Sequence, residues 1–143
     1  MIVFGNIDHG NAIAAHAGFV WNPSADQVIS ITDNDGKLLG GAIYEKFLGN
    51  SIFGHVSGLC ENWLSRDALW VAFHYPFVQL GCQKLLGMTP SANVKALEFA
   101  RRLGFTEVGR VTDAYRDGDL VVFEMDRKDC RWLSLAPRTI RSG

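Results

Sequence analysis

Apolar and polar residues alternate from Gln27 to Thr32, where Val28, Ile29 and Ile31 stand among Gln27, Ser30 and Thr32. That period is the signature of a half-buried strand. Asp33-Asn34-Asp35-Gly36 follows, and Leu38 to Phe47 is strand-like again. Strand, Asp-Gly turn and strand together predict a hairpin. Leu48-Gly49-Asn50 makes a second turn, and Ser51 to Leu59 reads as a third consecutive antiparallel strand. Ahead of this meander, Met1 to Ile7 reads as a short strand. Asn11 to Phe19 is Ala-rich and reads as a short helix with Asp8 or Asn11 as its cap. Trp21-Asn22-Pro23-Ser24 is turn chemistry.

The pattern then changes period. Ser65 to Leu80 is too long for a strand and apolar nearly all round, which predicts a largely buried helix capped by Ser65. Pro76 lies inside it, and an interior proline kinks or splits a helix. Gly81 is its stop. Gln83 to Met88 reads as a short strand. Ser91 to Leu103 is the clearest helix, with Ala96, Ala100 and Leu103 on one face. Glu98 precedes Arg102 by four residues, the favourable order for an ion pair, and Gly104 ends the helix. Phe105 to Tyr115 and Asp119 to Met125 read as two strands around Arg116-Asp117-Gly118. The order β-α-β-β-β-α-β-α-β-β places antiparallel strands before a crossover helix. The expected class is therefore α+β, three-layered, with a mixed, mostly antiparallel sheet and helices on both faces.

Composition narrows the function classes. The chain has 143 residues, 48% hydrophobic and 20% charged, which suits one domain with a real core. Residues 1–126 read as that domain and residues 127–143 as a basic C-terminal segment. The net charge of −1 sets up no global field toward nucleic acid or an anionic membrane. No apolar run is long enough to span a bilayer, and the first ten residues do not read as a secretory leader. Cys60, Cys82 and Cys130 are odd in number and lack CxxC spacing. They read as reduced, buried thiols of a cytoplasmic protein. His9 and His16 have no Cys or carboxylate cluster close to both, so no metal site is expected.

One segment is more specific than the rest: Asn93-Val94-Lys95-Ala96-Leu97-Glu98-Phe99-Ala100-Arg101-Arg102-Leu103-Gly104-Phe105. An Asn after a strand, a helix ending Leu-Gly-Phe and a new strand resemble the GNAT acetyltransferase family. The resemblance covers roughly Gln27 to Met125. It implies acetyl-coenzyme A as co-substrate, an amine acceptor, and two parallel strands, Ser51–Leu59 and Gln83–Met88, that part at one end. The gap between them would hold pantetheine, whose amides pair like a strand. Gly54, Gly58 and Gly87 lie in these strands, where glycine marks either close approach of another backbone or relief of crowding beneath a helix. Asn93 can cap a helix or bond a ligand amide, and Phe99 lies on the same helix.

Two features depart from the family pattern. The diphosphate-binding turn of the family is Gly-rich, whereas Glu61-Asn62-Trp63-Leu64-Ser65-Arg66-Asp67-Ala68 contains no glycine. A helix start still offers free N–H groups and a positive dipole end, so Ser65, Arg66 and Asp67 are the candidates there. Many relatives place a Tyr seven residues after the Asn as general acid, and here that residue is Ala100. Tyr44, Tyr75, Tyr115 and Ser91 are the substitutes.

Acyl transfer to an amine needs a base and an oxyanion donor. The donor is expected in the main chain at Val56, Ser57 or Gly58, which together line the coenzyme's path. His55 is the first candidate base, because imidazole titrates near neutrality and shares a strand face with Ser57. Glu61 is the second and Glu45 the third. Trp63 is a candidate wall of the acceptor pocket. Two other readings compete: a binding module that keeps the fold without the chemistry, and a nucleic-acid-modifying enzyme. The latter rests on Arg127, Lys128, Arg131, Arg138 and Arg141 alone, a cluster that reads more simply as a solvated end. Trp132 and Leu133 are placed to dock back onto the domain, with a mobile end from Pro137. Open sheet edges leave room for a homodimer.

Overall fold

The computed structural model describes residues 1–135. The expected mobile end from Pro137, with Arg138 and Arg141, lies outside the described residues.

The elements run β1 (Ile2–Phe4), α1 (Ile7–Ala17), β2 (Gln27–Thr32), β3 (Leu38–Glu45), β4 (Ser51–Gly58), α2 (Arg66–His74), β5 (Lys84–Pro90), α3 (Val94–Leu103), β6 (Thr106–Tyr115) and β7 (Gly118–Asp126). This is the order expected from the pattern. The strands form one seven-stranded sheet in the order β1-β2-β3-β4-β5-β7-β6. Every neighbouring pair is antiparallel except β4 and β5, which run parallel. A parallel pair needs a crossover, and α2 supplies it.

Alternation along the strands sorts the core into two faces. Ala42, Tyr44, Ile52 and Leu85 pack with α2, and Leu103 of α3 joins the same cluster. Val28 and Ile43 face the other way, onto Ile13 and Ala14 of α1. The sheet is thus covered by α2 and α3 on one side and by α1 on the other.

Local chemistry shifts several boundaries. The first helix begins four residues before Asn11. Its cap is Asn6, whose side chain accepts from His9 N at 3.0 Å, and not Asp8 or Asn11. Asn11 instead accepts from Trp21 Nε1 at 3.0 Å. The last helix starts at Val94 and not at Ser91, because Asn93 accepts from Ala96 N at 3.1 Å. Gly104 closes it with φ 109°, a left-handed conformation that favours glycine. No ion pair joins Glu98 to Arg102 among the described residues; Arg101 reaches Glu107 at 3.7 Å instead.

Ser65 caps α2 as expected, accepting from Ala68 N at 3.2 Å. The proline then acts as its chemistry requires. Pro76 has no N–H to give the Ala72 carbonyl one turn back. The α-helix ends at His74, and Tyr75–Gln79 forms a π-helical turn, closed by Leu80 N to Tyr75 O at 2.9 Å. The Tyr44 hydroxyl donates to the Ala72 carbonyl across the core. Burial pushes the Tyr44 phenol far above its ordinary range.

The start of the basic C-terminal segment packs onto the domain. Arg127–Asp129 and Arg131–Ser134 are 3-10 turns. Trp132 Nε1 donates to Leu103 O at 2.8 Å, satisfying a terminal carbonyl of α3, and its ring lies 6.3 Å from Phe73. Leu133 packs beside it. Among the described residues no helix is long and apolar enough to cross a membrane.

Candidate active site

Strands β4 and β5 pair over only three residues: Ser51 with Lys84, Ile52 with Leu85 and Phe53 with Leu86. Beyond that point β4 continues to Gly58 and β5 to Pro90 without pairing to each other. Each stays held on its far side, β4 by β3 as far as Gly58 and β5 by β7 as far as Pro90. Two strands held apart in this way present peptide groups to the gap with no strand partner. A cleft of about 840 Å³ occupies this wedge, lined by Gly54 to Gly58 on one strand and Gly87 to Pro90 on the other. Its walls continue on both faces of the sheet, to Phe19 and Val20 beside α1 and to Ala96 and Phe99 on α3. The cleft passes through the sheet, which distinguishes it from a groove on one face.

His55 sits in this wedge on the α1 side. Its Nε2 lies 2.9 Å from Glu45 Oε1, and its ring stacks on Phe19 with centroids 4.2 Å apart. The register explains the pairing. Ile43 opposes His55 and Glu45 opposes Phe53, so all four side chains share a face and Glu45 lies diagonal to His55. Lys46 Nζ reaches the same Glu45 oxygen at 2.9 Å. Burial works to raise the Glu45 carboxyl, but the hydrogen bonds from Lys46 and His55 outweigh it and hold the group below its ordinary value. A carboxylate can only accept, so His55 Nε2 carries a hydrogen, and in the neutral ring Nδ1 is the acceptor.

The sign of the pH effect follows. A lowered carboxyl stabilises the fold above its unfolded value, and that contribution is lost as pH falls through the folded value. Glu45→Gln should therefore lower the melting temperature at neutral pH and change it little at acid pH, which flattens the acid limb, as read by calorimetry.

The remaining candidates separate. Val56, Ser57, Gly58, Asn93 and Phe99 line the cleft. Glu61 is exposed on the turn after β4 and is not among the cleft-lining residues. Ser91 Oγ accepts from Asp119 N at 2.8 Å, an engagement that ties two turns together outside the cleft wall. Ser65, Arg66 and Asp67 lie at the start of α2 and do not line the cleft, and the Ser65 hydroxyl is engaged by its own helix. Of the substitute acids, Tyr44 is buried against α2, and Tyr75 is half-buried with its phenol raised by burial. Tyr115 lines the cleft.

The strand glycines do different things. A Cβ on Gly58 would stand 2.0 Å from Trp63 Nε1, and one on Gly40 would stand 2.5 Å from the same ring. Trp63 therefore lies flat on the ends of β3 and β4, on the α2 side, and these glycines exist to admit it. The indole is a wall of the cleft and leaves the gap between the strands open. Gly87 is different: a Cβ there would meet only Phe123 Cβ, at 3.8 Å, so its free side faces open space.

Cys60 corrects an expectation. It is exposed at the cleft, whereas Cys82 and Cys130 are buried, with their thiols pushed up by burial. Among the described residues no three His, Cys, Asp or Glu side chains are placed to hold a metal ion. His9 Nδ1 is 2.7 Å from Ser30 Oγ and anchors α1 to β2.

Sequence reasoning missed Phe19 and Lys46. Phe19 lies in the loop after α1, and nothing local marks it as the partner of a ring on β4. Lys46 adjoins Glu45, but its bond to that carboxylate depends on a positive φ of 55° at the strand's end.

No protein-family model matches the chain, and no curated protein matches it in sequence. Solved structures do match. A single-site mutant of the spermidine N-acetyltransferase SpeG from Vibrio cholerae superposes with a TM-score of 0.69 at 14% identity, over 99% of this chain and 98% of that one. The spermidine N-acetyltransferase from the same organism, in complex with CoA and spermine, gives 0.64 at 16% identity, over 87% and 77%. A probable acetyltransferase gives 0.60 at 17%, over 73% of this chain and 62% of that one. Such identities carry architecture and leave chemistry to the residues. The chain adopts the GNAT acetyltransferase fold, in a divergent form with Trp63 lying over the ends of β3 and β4 and no glycine in the turn before α2.

Proposed function

We propose that the protein transfers an acyl group from a coenzyme A thioester to a primary amine in the wedge between β4 and β5. The observation that carries this is the parting of the two parallel strands after Phe53 and Leu86, with a cleft running through the sheet. The residues present fit such a co-substrate. Unpartnered peptide groups along residues 54–58 and the open side of Gly87 suit an extended, amide-bearing arm. The bound thioester supplies an electrophilic carbonyl carbon. A structure of the same fold that contains CoA and spermine supports this reading.

The chain's own groups take the other roles. Main-chain N–H groups at Val56 to Gly58 steady the oxygen that gains charge. His55 takes the amine's proton at Nδ1, while Glu45 holds the ring through Nε2. Phe19 stacks on the imidazole and fixes its plane. Tyr115 is the hydroxyl assigned to the leaving sulfur, being the tyrosine at the cleft. The arm enters from the α2 and α3 side, where Asn93 and Phe99 stand, and the acceptor enters from the α1 side.

A second reading is favoured by one observation. Trp63 fills the floor beside the α2 start, and Ser65 is engaged by its own helix, so the diphosphate lacks the family's turn. In this reading the wedge binds a thioester arm without turnover. Thermal unfolding with ligands separates the two from a chain that binds nothing. Acetyl-coenzyme A should raise the melting temperature, and adenosine nucleotides alone should not. Absence of any shift with coenzyme A thioesters overturns both readings. A shift without acetyl transfer to any amine leaves the binding module.

A further inference from the structure

The α1-side mouth of the cleft has its own chemistry. Phe19 and Val20 stand on one side of it, with Met88 and Leu120 on the strands opposite and Tyr115 beyond. Val20 is 93% exposed and Tyr115 41% exposed, so apolar surface is presented at the entrance. The charges are few. Among the described residues Glu45 is the only acid lining the cleft, against Lys46 and Lys95. The charge of that single carboxylate is already matched by Lys46, whose Nζ lies 2.9 Å from Oε1, the oxygen that also meets His55 Nε2 at 2.9 Å. Glu61 is exposed on the turn after β4 and is not part of the wall.

A polyamine carries several ammonium groups, and each one drawn from water needs a counter-charge. The one carboxylate of this cleft is already paired with a lysine, and Lys46 repels a second cation at the position nearest the base. An apolar or aromatic body loses nothing there and gains contact with Phe19, Val20, Met88 and Leu120. We propose that the acceptor is a small primary amine on an aromatic or branched apolar body, with no second cationic centre. The proposal rests on the acyltransferase reading of the cleft, and it separates this chain from the spermidine enzymes whose fold it shares.

The test is calorimetric binding of phenethylamine and of spermidine to the full chain in the presence of coenzyme A. Phenethylamine should bind at least about tenfold more tightly. Phe19→Ala should weaken phenethylamine, and Lys46→Gln, which leaves the Glu45 carboxylate without its counter-charge, should strengthen spermidine. Spermidine binding as tightly as phenethylamine to the unaltered chain overturns the proposal, and so does binding of neither amine. Acetyl transfer is measured separately with the same two amines. Phenethylamine that binds without being acetylated counts against the acyltransferase reading and leaves the assignment of the mouth standing.

Discussion

His55→Gln is expected to lower acyl transfer by about 10²- to 10⁴-fold, the range that one positioned base contributes. The same variant should keep its thermal response to acetyl-coenzyme A, because the unpaired peptide groups of β4 and β5 are untouched. The prediction comes from two contacts that orient one ring: Nε2 to Glu45 at 2.9 Å and a face stacked on Phe19 at 4.2 Å. Glutamine preserves the polarity and most of the volume while removing the titrating nitrogen. Glu45→Gln should lose less, and mostly in kcat with KM little changed, because Glu45 is a positioning residue that acts through the imidazole. A His55→Gln chain that transfers acetyl at the unaltered rate would remove His55 from the mechanism, whatever its effect on stability.

The second large effect is on folding. Tyr44→Phe should destabilise the domain by about 1–3 kcal/mol, the cost of stranding a buried carbonyl. Pro76 cannot donate to Ala72 O, and the Tyr44 hydroxyl takes that role from the neighbouring strand. The two residues are therefore coupled through an atom that belongs to neither. The check is a double-mutant cycle by urea unfolding. In a Pro76→Ala background position 76 regains an N–H, so removing the Tyr44 hydroxyl should cost measurably less. Equal losses in both backgrounds would show that the hydroxyl stabilises the core in some other way. Tyr44 is also thereby excluded as a catalytic acid, since its proton is committed inside the core.

Much of the architecture was legible in local chemistry. Alternation marked β2, the Asp-Gly turn placed the hairpin, and Ser65, Gly81 and Gly104 punctuated the helices where φ or a cap required it. Boundaries slipped where several polar residues lay close to a helix start. Asn6 caps the first helix in place of Asp8 or Asn11 because its side chain reaches His9 N, and the last helix starts after Ser91 because Asn93 caps it while Ser91 accepts from Asp119 N across a turn. Neither outcome is contained in the spacing of those residues along the chain. The same holds for Trp63. Its ring has no sequence neighbour that explains it, yet it dictates glycine at both Gly40 and Gly58.

By itself the sequence determined the order of elements and the crossover helix that makes the sheet mixed, and it offered His55 as a candidate base on a strand face. These follow from period, turn residues and side-chain type, which act over a few positions. Only the tertiary structure decided where β4 and β5 stop pairing, which carboxylate meets His55, and which tyrosine reaches the cleft. Those depend on cross-strand register and on the far-side strands that hold β4 and β5 apart, contacts between residues distant in the chain.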